Sequence, residues 1–302
     1  MEAKFDLKPG SYIVAVSGGV DSVVLLYALW SSYRLSATDY QLVVAHFDHG
    51  IRGDSKLDRL FVEALAQEHG LQFVYAEGHL GTECSEARAR TARYEFLQKV
   101  AKQNEALGII LAHHQDDLLE TAILNMLRGT GRKGLTALSN RDNLIRPLLN
   151  VPKQAILDYA ALHQIEWRED STNSDTRYLR NHVRLNLIPK FSDSDKAKLI
   201  TIINDLRVSN MEIDELVADF IAKNIEADVI VRKLFNSLPV EVAKEVMASW
   251  LRTNEVTNMD GLMISRLVEG CKMLTTGKQM DVDKNHYLKV NRTTLALAQR
   301  ER

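Results

Sequence analysis

The chain has 302 residues, 45% of them hydrophobic and 26% charged, with a formal net charge of −2. That length suits two domains of about 150 residues each, and the composition is that of a globular chain rather than a disordered or fibrous one. No apolar run reaches the length of a membrane span, and Met1–Asp6 has no signal-peptide core. Cys84 and Cys271 are too far apart in sequence for a CxxC metal motif and too few for a disulfide framework, so a cytoplasmic protein without membrane contact is expected.

The charge is unevenly spread. Residues 1–127 carry 11 basic and 17 acidic side chains, 128–190 carry 11 and 6, and 191–302 carry 16 and 17. A basic middle stretch in a slightly acidic chain suits a local polyanion contact, although unrelated solvated charges would give the same count.

In chain order, Tyr12–Val16 is rich in β-branched residues and predicts a buried strand, and the apolar run Val23–Leu29 predicts a helix. Between them lies Ser17-Gly18-Gly19-Val20-Asp21-Ser22. Its glycines let the backbone approach an anion, the helix start aims N–H groups at it, and the serines add hydroxyl donors. Asp21 is the misfit, since an acid beside phosphate needs a metal or a polar handle to answer it. A plain strand-to-helix turn capped by serine and aspartate is the alternative.

Gln41–His46 predicts a second strand that runs into the polar stretch Phe47-Asp48-His49. Ser55 is placed to cap a helix with Leu57, Leu60, Phe61, Ala64 and Leu65 at helical spacing, and Gly70 ends it. Gln72–Ala76 predicts strand three and Ser85–Lys102 a helix carrying Arg90 and Arg93 on one face. A cation there would stabilise charge leaving with pyrophosphate; pairing with Glu86 and Glu95 is the ordinary alternative. Gly108–His113 predicts strand four, and Asp116–Leu127 a helix with Asp117 and Glu120 on one face. Such carboxylates suit a divalent cation or an ammonium, while for Asp116 and Asp117 a simple helix-start role is the alternative. His113 and His114 lack a third ligand at a recognisable spacing, which argues against a transition metal.

Strands alternating with helices imply an α/β fold with a doubly wound, mostly parallel sheet, whose ligands bind beyond the carboxyl ends of the strands. The polar clusters at 17–22, 46–48 and 113–117 would then share one edge. Beyond them, Arg128–Gly134 is a glycine-rich basic loop, and Leu144–Leu149, interrupted by Pro147, predicts a short edge strand. Pro152 opens a helix to about His163, and Arg177, Arg180 and Arg184 form one basic stripe suited to phosphate backbone. The remainder reads as helices at Asp195–Asn224, Pro239–Leu251 and Asp260–Met273, then short strands at Gln279–Val282, Tyr287–Val290 and Thr294–Leu297.

Together these residues resemble the bacterial tRNA(Ile)-lysidine synthetases of the PP-loop ATP pyrophosphatase group. Ser17–Ser22 looks like the SGGxDS loop, and His46–Arg52 like the second-strand motif. Glu86–Tyr94 looks like E-x-x-AR-x-x-RY, and His113–Thr121 like HH-x-x-D-x-x-ET. Arg146–Leu149, and Asp170–Arg184 with Asn173 and Arg180-Asn181, look like the later signatures. The likeness covers about residues 11–190, and it departs at Leu118, where the family commonly has glutamine and where a core-facing side chain is expected.

The resemblance implies an adenine nucleotide alpha hydrolase-like catalytic domain over residues 1–190. Residues 191–302 would form a mostly helical, tRNA-binding accessory domain ending in a small sheet. With its end at Arg302, the chain is expected to be the shorter form of the family. The implied reaction adenylates C2 of the wobble cytidine of a CAU-anticodon isoleucine tRNA with ATP, releases pyrophosphate, and lets free L-lysine displace AMP. In that scheme Ser17, Gly18, Gly19, Val20, Asp21 and Ser22 hold phosphates, with Asp21 on the magnesium side. His46 and Phe47 border the adenosine, Arg93 steadies the leaving pyrophosphate, and Asp117 and Glu120 hold lysine's ammonium or the magnesium ion. Arg128, Arg132, Lys133, Arg177, Arg180 and Arg184 grip the tRNA. A PP-loop tRNA thiolase and a non-catalytic nucleotide- or tRNA-binding module are the alternatives. Nothing in the sequence decides between a monomer and a homodimer.

Overall fold

Strand β1, Gly10–Ala15, is the centre of a parallel sheet, pairing with β2, Tyr40–Asp48, on one side and β4, Gly108–Ile110, on the other. The computed structural model describes residues 5, 7–35, 40–50, 55–81, 84–140, 143–169, 179–226, 228–257 and 259–300. Strand β3, Gln72–Glu77, and strand β5, Leu144–Ile145, are the edges, giving the order β3-β2-β1-β4-β5. The order reverses between β1 and β4, and that switch point is where an open α/β sheet leaves a crevice.

Alternation along the strands feeds two cores. Val14, Val44 and Ile110 face helices α1 (Val20–Leu35), α2 (Ser55–Glu68) and α6 (Lys153–Leu162), whose Leu25, Val62 and Ile156 are buried with them. Ile13, Val43 and Ile109 face the other way, onto Leu97 and Val100 of α3 (Glu86–Gln103). Helix α4 (Gln115–Leu127) follows β4, and its Leu118 is fully buried, as expected of an apolar residue in that place. The short helix α5 is Arg132–Leu135. Strand β5 is shorter than the sequence suggests, because Pro147 has no N–H to continue the ladder.

After the undescribed stretch that contains Arg177, helix α7 (Leu179–His182) runs into a π-helical turn, Val183–Leu187, and a 3₁₀ turn, Ile188–Lys190. Helix α8, Asp193–Asn224, begins in the first of two compact units, which comprises Met1–Arg128 and Leu135–Ile202. The second unit is Gly129–Gly134 with Ile203–Arg302. It adds α9 (Arg232–Ser237), α10 (Val240–Thr253) and α11 (Gly261–Met273). Its antiparallel sheet contains β6 (Ile225–Glu226), β7 (Val229–Val231), β8 (Gln279–Asp281), β9 (His286–Val290) and β10 (Thr294–Gln299), in the order β6-β7-β10-β9-β8. Phe235, Trp250, Leu267 and Leu288 form its core.

The basic loop is drawn into this second unit. Arg132 forks onto Glu245, with Nε to Oε1 at 3.0 Å and Nη2 to Oε2 at 2.8 Å, and also reaches Asp214 and Asn210. Lys133 joins Asp214 at 2.8 Å. Expected to present free cations to RNA, the loop instead has Arg132's donors spent on side chains of its own unit, a bidentate pairing that is strong for its size.

Candidate active site

The loop after β1 is braced by itself. The Ser22 hydroxyl donates to the Gly19 carbonyl at 2.9 Å and accepts the Ser17 N–H at 3.1 Å, so it shapes the loop and is not a spare donor. Gly18 has φ of +99°, a region that side chains with a Cβ rarely adopt, and its carbonyl accepts the Arg168 N–H at 3.0 Å. Gly18→Ala is therefore expected to strain the loop by about 1–2 kcal/mol. A lowered thermal midpoint together with weakened nucleotide binding would show it, and an unchanged protein would refute it.

A cavity of about 750 Å³ opens at the switch point, bordered by the loop, the end of β2 and the end of β4. Among the described residues, four cationic side chains border it, those of Arg93, Lys153, Arg168 and Arg184. The cavity's acids are largely answered. Asp21 Oδ1 lies 2.5 Å from Lys153 Nζ, and its Oδ2 lies 3.7 Å from His114 Nε2. Asp48 accepts from the Gly50 N–H and the Ser55 hydroxyl, and Asp58 is paired with Arg168. Arg93, by contrast, has its Nε buried with no hydrogen-bond partner among the described residues, while its guanidinium lies 5.5 Å from the centroid of the Tyr94 ring. Burial pulls the Arg93 pKa below its ordinary value, with Tyr94 offsetting part of the effect. An anion entering the cavity would meet a desolvated cation that lacks a hydrogen-bond partner at Nε. Arg90 is turned to Tyr94, its Nη2 donating to the Tyr94 hydroxyl at 3.2 Å.

At the start of α4 the His114 ring caps Asp116 N–H at 3.2 Å, and Asp117 Oδ2 accepts the His114 N–H at 2.9 Å. This reciprocal cap turns Asp117 back along the helix. Glu120 is fully buried, held by Arg180 Nε and by Arg184 Nε at 2.9 Å. Arg184 also reaches Asp117 at 3.2 Å. Burial pushes the Asp117 carboxyl up, but the His114 ring, the His114 N–H and Arg184 together hold it below its ordinary value. Neither carboxylate borders the cavity; Arg184, which lies in the π-helical turn, does. Two of the arginines expected to face RNA are thus occupied by the two carboxylates expected to face lysine.

His113 borders the cavity and accepts from Arg146 Nε at 3.2 Å. Burial, with Arg146 adding to it, lowers its pKa to about 3, so the ring is neutral near pH 7. Since the folded state resists a proton that the unfolded chain takes up below about pH 6.5, stability falls as pH drops from there towards 3. Replacing His113 by glutamine should flatten that slope by up to ~1.4 kcal/mol per pH unit, read by denaturant unfolding from pH 7 to 4. An unaltered slope would contradict it. His46 is likewise buried and lowered by burial; its Nδ1 donates to the Val16 carbonyl at 2.9 Å, leaving Nε2 as an acceptor. Phe47, the next residue of β2, packs on Phe96 with ring centroids 5.6 Å apart and also borders the cavity.

Arg128 is exposed at the end of α4, and Arg177 lies outside the described residues. Sequence reasoning overlooked Lys153 and Arg168, which border the cavity from the start of α6 and from the segment after it. Lys153 did carry a readable signal, being a cation in the first turn of a helix, where the macrodipole disfavours it. Arg168 carried none.

A phosphate loop at a parallel-sheet switch point is the plan of the PP-loop proteins. Residues 2–191 match the PP-loop domain family, and the chain belongs to it. Its similarities are narrower than that. The tRNA(Ile)-lysidine synthase of Thermotoga maritima is 34% identical over 233 residues, covering 72% of this chain and 55% of that protein. The tRNA(Ile)-lysidine synthase of Legionella pneumophila (strain Paris) is 38% identical over 183 residues, covering 59% and 41%. The chain spans about half the length of the curated relatives it matches. Among solved structures, the U34-tRNA thiolase NcsA from Methanococcus maripaludis with its 4Fe–4S cluster superimposes with a TM-score of 0.54 at 18% identity, covering 66% of this chain and 72% of that one. At that identity the likeness is one of fold.

Proposed function

We propose that this protein ligates lysine to C2 of the wobble cytidine in a CAU-anticodon isoleucine tRNA, at the cost of ATP cleaved to AMP and pyrophosphate. The observation that carries the reading is the Nε of Arg93, buried with no hydrogen-bond partner among the described residues, in a cavity that the loop 17–22 borders. The similarity to tRNA(Ile)-lysidine synthases supports the choice of substrate. A cytoplasmic location follows from that role, and no helix among the described residues is long and apolar enough to cross a membrane.

In the first step the cytidine C2 oxygen bonds to the α-phosphorus of ATP. The bond from that phosphorus to the bridging oxygen breaks, and its electron pair leaves with pyrophosphate. Backbone N–H groups of 17–22 and the start of α1 hold the phosphates, and Arg93 offsets the charge that grows on the leaving group. His46 and Phe47 border the adenosine. Asp21 is a half-buried carboxylate on the cavity, and one carboxylate completed by phosphates and water is a set that magnesium accepts, so Asp21 fits the ion. Bound with ATP, magnesium would offset charge on the terminal phosphates.

In the second step the lysine amine attacks C2, the C2–O bond breaks, AMP leaves with the electron pair, and the amine's proton passes to solvent. Asp117 and Glu120 take the lysine ammonium by exchange, handing over oxygens now held by Arg184 and Arg180. The released arginines then turn to RNA phosphates, alongside Arg128, Lys133 and Arg177. Arg132 stays with Glu245 as part of the accessory unit.

A thiolase reading is weaker on the cysteines. Cys271 is fully buried in the core of the second unit, and burial pushes its thiol up to about 12. The test is incubation with ATP, radiolabelled lysine and CAU-anticodon isoleucine tRNA. Label in the tRNA with AMP in solution is expected. A thiolated product would establish the thiolase instead, and neither label nor AMP would establish a binding module.

A further inference from the structure

We propose that Lys153 supplies the phosphate-side lysine that the loop 17–22 lacks, reaching the ATP polyphosphate from a different helix. The inference rests on the ATP reading above and names a further residue for it. Loop 17–22 contains serines, glycines, one valine and one aspartate but no lysine, and its Ser17 and Ser22 hydroxyls lie 3.1 Å from each other, so its donors towards a phosphate are chiefly backbone N–H groups.

Lys153 is the first residue of α6, and it stands against the local rules for a helix start. Pro152 makes no side-chain cap there, the first turn holds no acid, and a cation at that end opposes the macrodipole. A residue that breaks a local rule without a packing gain is one to explain by function. Lys153 is not anchored by burial, its side chain being about a third exposed. Its backbone, however, is fixed. Ile156 and Ala160 of α6 are fully buried in the core shared with α1, and the Val151 carbonyl accepts the Gln115 N–H at 3.0 Å. Helix α6 therefore holds the Lys153 backbone at a set distance from the loop, while its side chain is only partly enclosed.

In the structure the Lys153 ammonium rests on Asp21 Oδ1 at 2.5 Å, inside the same cavity as Arg93. A polyphosphate in the cradle carries more charge than one carboxylate, and it would lie within the sweep of a four-carbon stem. Lys153 then leaves Asp21 for the phosphates, pairing with the oxygens that depart as pyrophosphate, while Arg93 acts from the α3 side. Asp21 acts as the parking place for the lysine between turnovers.

A plain salt bridge tying α6 to the loop would affect every nucleotide alike; a phosphate contact would not. The experiment compares binding of ATP, pyrophosphate and AMP to the wild-type chain, Lys153→Met and Lys153→Arg by titration calorimetry, with thermal midpoints recorded beside them. Lys153→Met should weaken ATP and pyrophosphate by about tenfold or more, the worth of a charge-assisted hydrogen bond, and leave AMP within about twofold. Lys153→Arg should recover most of the loss. Equal weakening of AMP and ATP, or unchanged ATP binding, would overturn the proposal. If the ATP pattern appears but wild-type protein transfers no lysine to tRNA, the lysidine reading falls and the Lys153 assignment stands. If wild-type protein binds no ATP, both fall.

Discussion

Arg93→Met is expected to lower ATP-dependent pyrophosphate release by about 10²–10³-fold while leaving the protein as stable as before, or slightly more so. The loss is the size expected when one preorganised donor is removed from a developing negative charge in a water-poor site. The unchanged or higher stability follows from the same burial. Arg93 Nε is buried without a hydrogen-bond partner among the described residues, so the folded protein carries a desolvation cost there that methionine removes. A residue whose loss harms turnover and spares the fold is held for the reaction. Single-turnover pyrophosphate release and a thermal melt, run on the same preparation, test both halves. A large drop in the melting midpoint would mean that Arg93 is a structural ion after all.

Glu120 should behave in the opposite way. It is fully buried and holds two guanidinium groups, so Glu120→Ala leaves Arg180 and Arg184 facing a cavity in place of their counter-charge. Breaking a buried pair by removing one partner typically costs ~3–5 kcal/mol; here both arginines are about a third exposed, and solvent reduces the loss to about 2 kcal/mol. Glu120→Gln, which keeps the volume and one acceptor oxygen, should recover much of that stability but not the affinity for lysine. If the carboxylate takes the substrate ammonium, lysine KM rises in both variants while pyrophosphate release in the first step changes less. A glutamine variant with wild-type lysine KM would restrict Glu120 to orienting the two arginines.

These two expectations bear on a contrast between neighbouring residues. From sequence, Arg180 and Arg184 belong to a basic stripe for RNA, and Asp117 and Glu120 to an acidic face for a divalent cation or an amine. Each set is legible by helical spacing, because side chains three or four positions apart share a face. That one set closes on the other is not legible, since α4 and the α7 segment are about sixty residues apart and periodicity says nothing about which faces meet. The same holds for Arg132, whose glycine-rich surroundings suggest a mobile cationic loop and whose partners Asp214 and Glu245 lie far along the chain.

The amino-acid sequence by itself determined the alternation of strands and helices, the positions of the loop 17–22 and of the polar strand ends, and the family to which residues 2–191 belong. These are local properties, set by apolar periodicity, by glycine where φ must be positive, and by residue order within short motifs. Tertiary structure alone decided which charges are already spent and which are not. It placed Lys153 and Arg168 on the cavity, paired Asp21 with one and Asp58 with the other, and left Arg93 with a buried, unmatched Nε. The reason is physical: whether an ion is paired depends on distances of a few ångströms between segments far apart in the chain, and only the packed cores around β1 fix those distances.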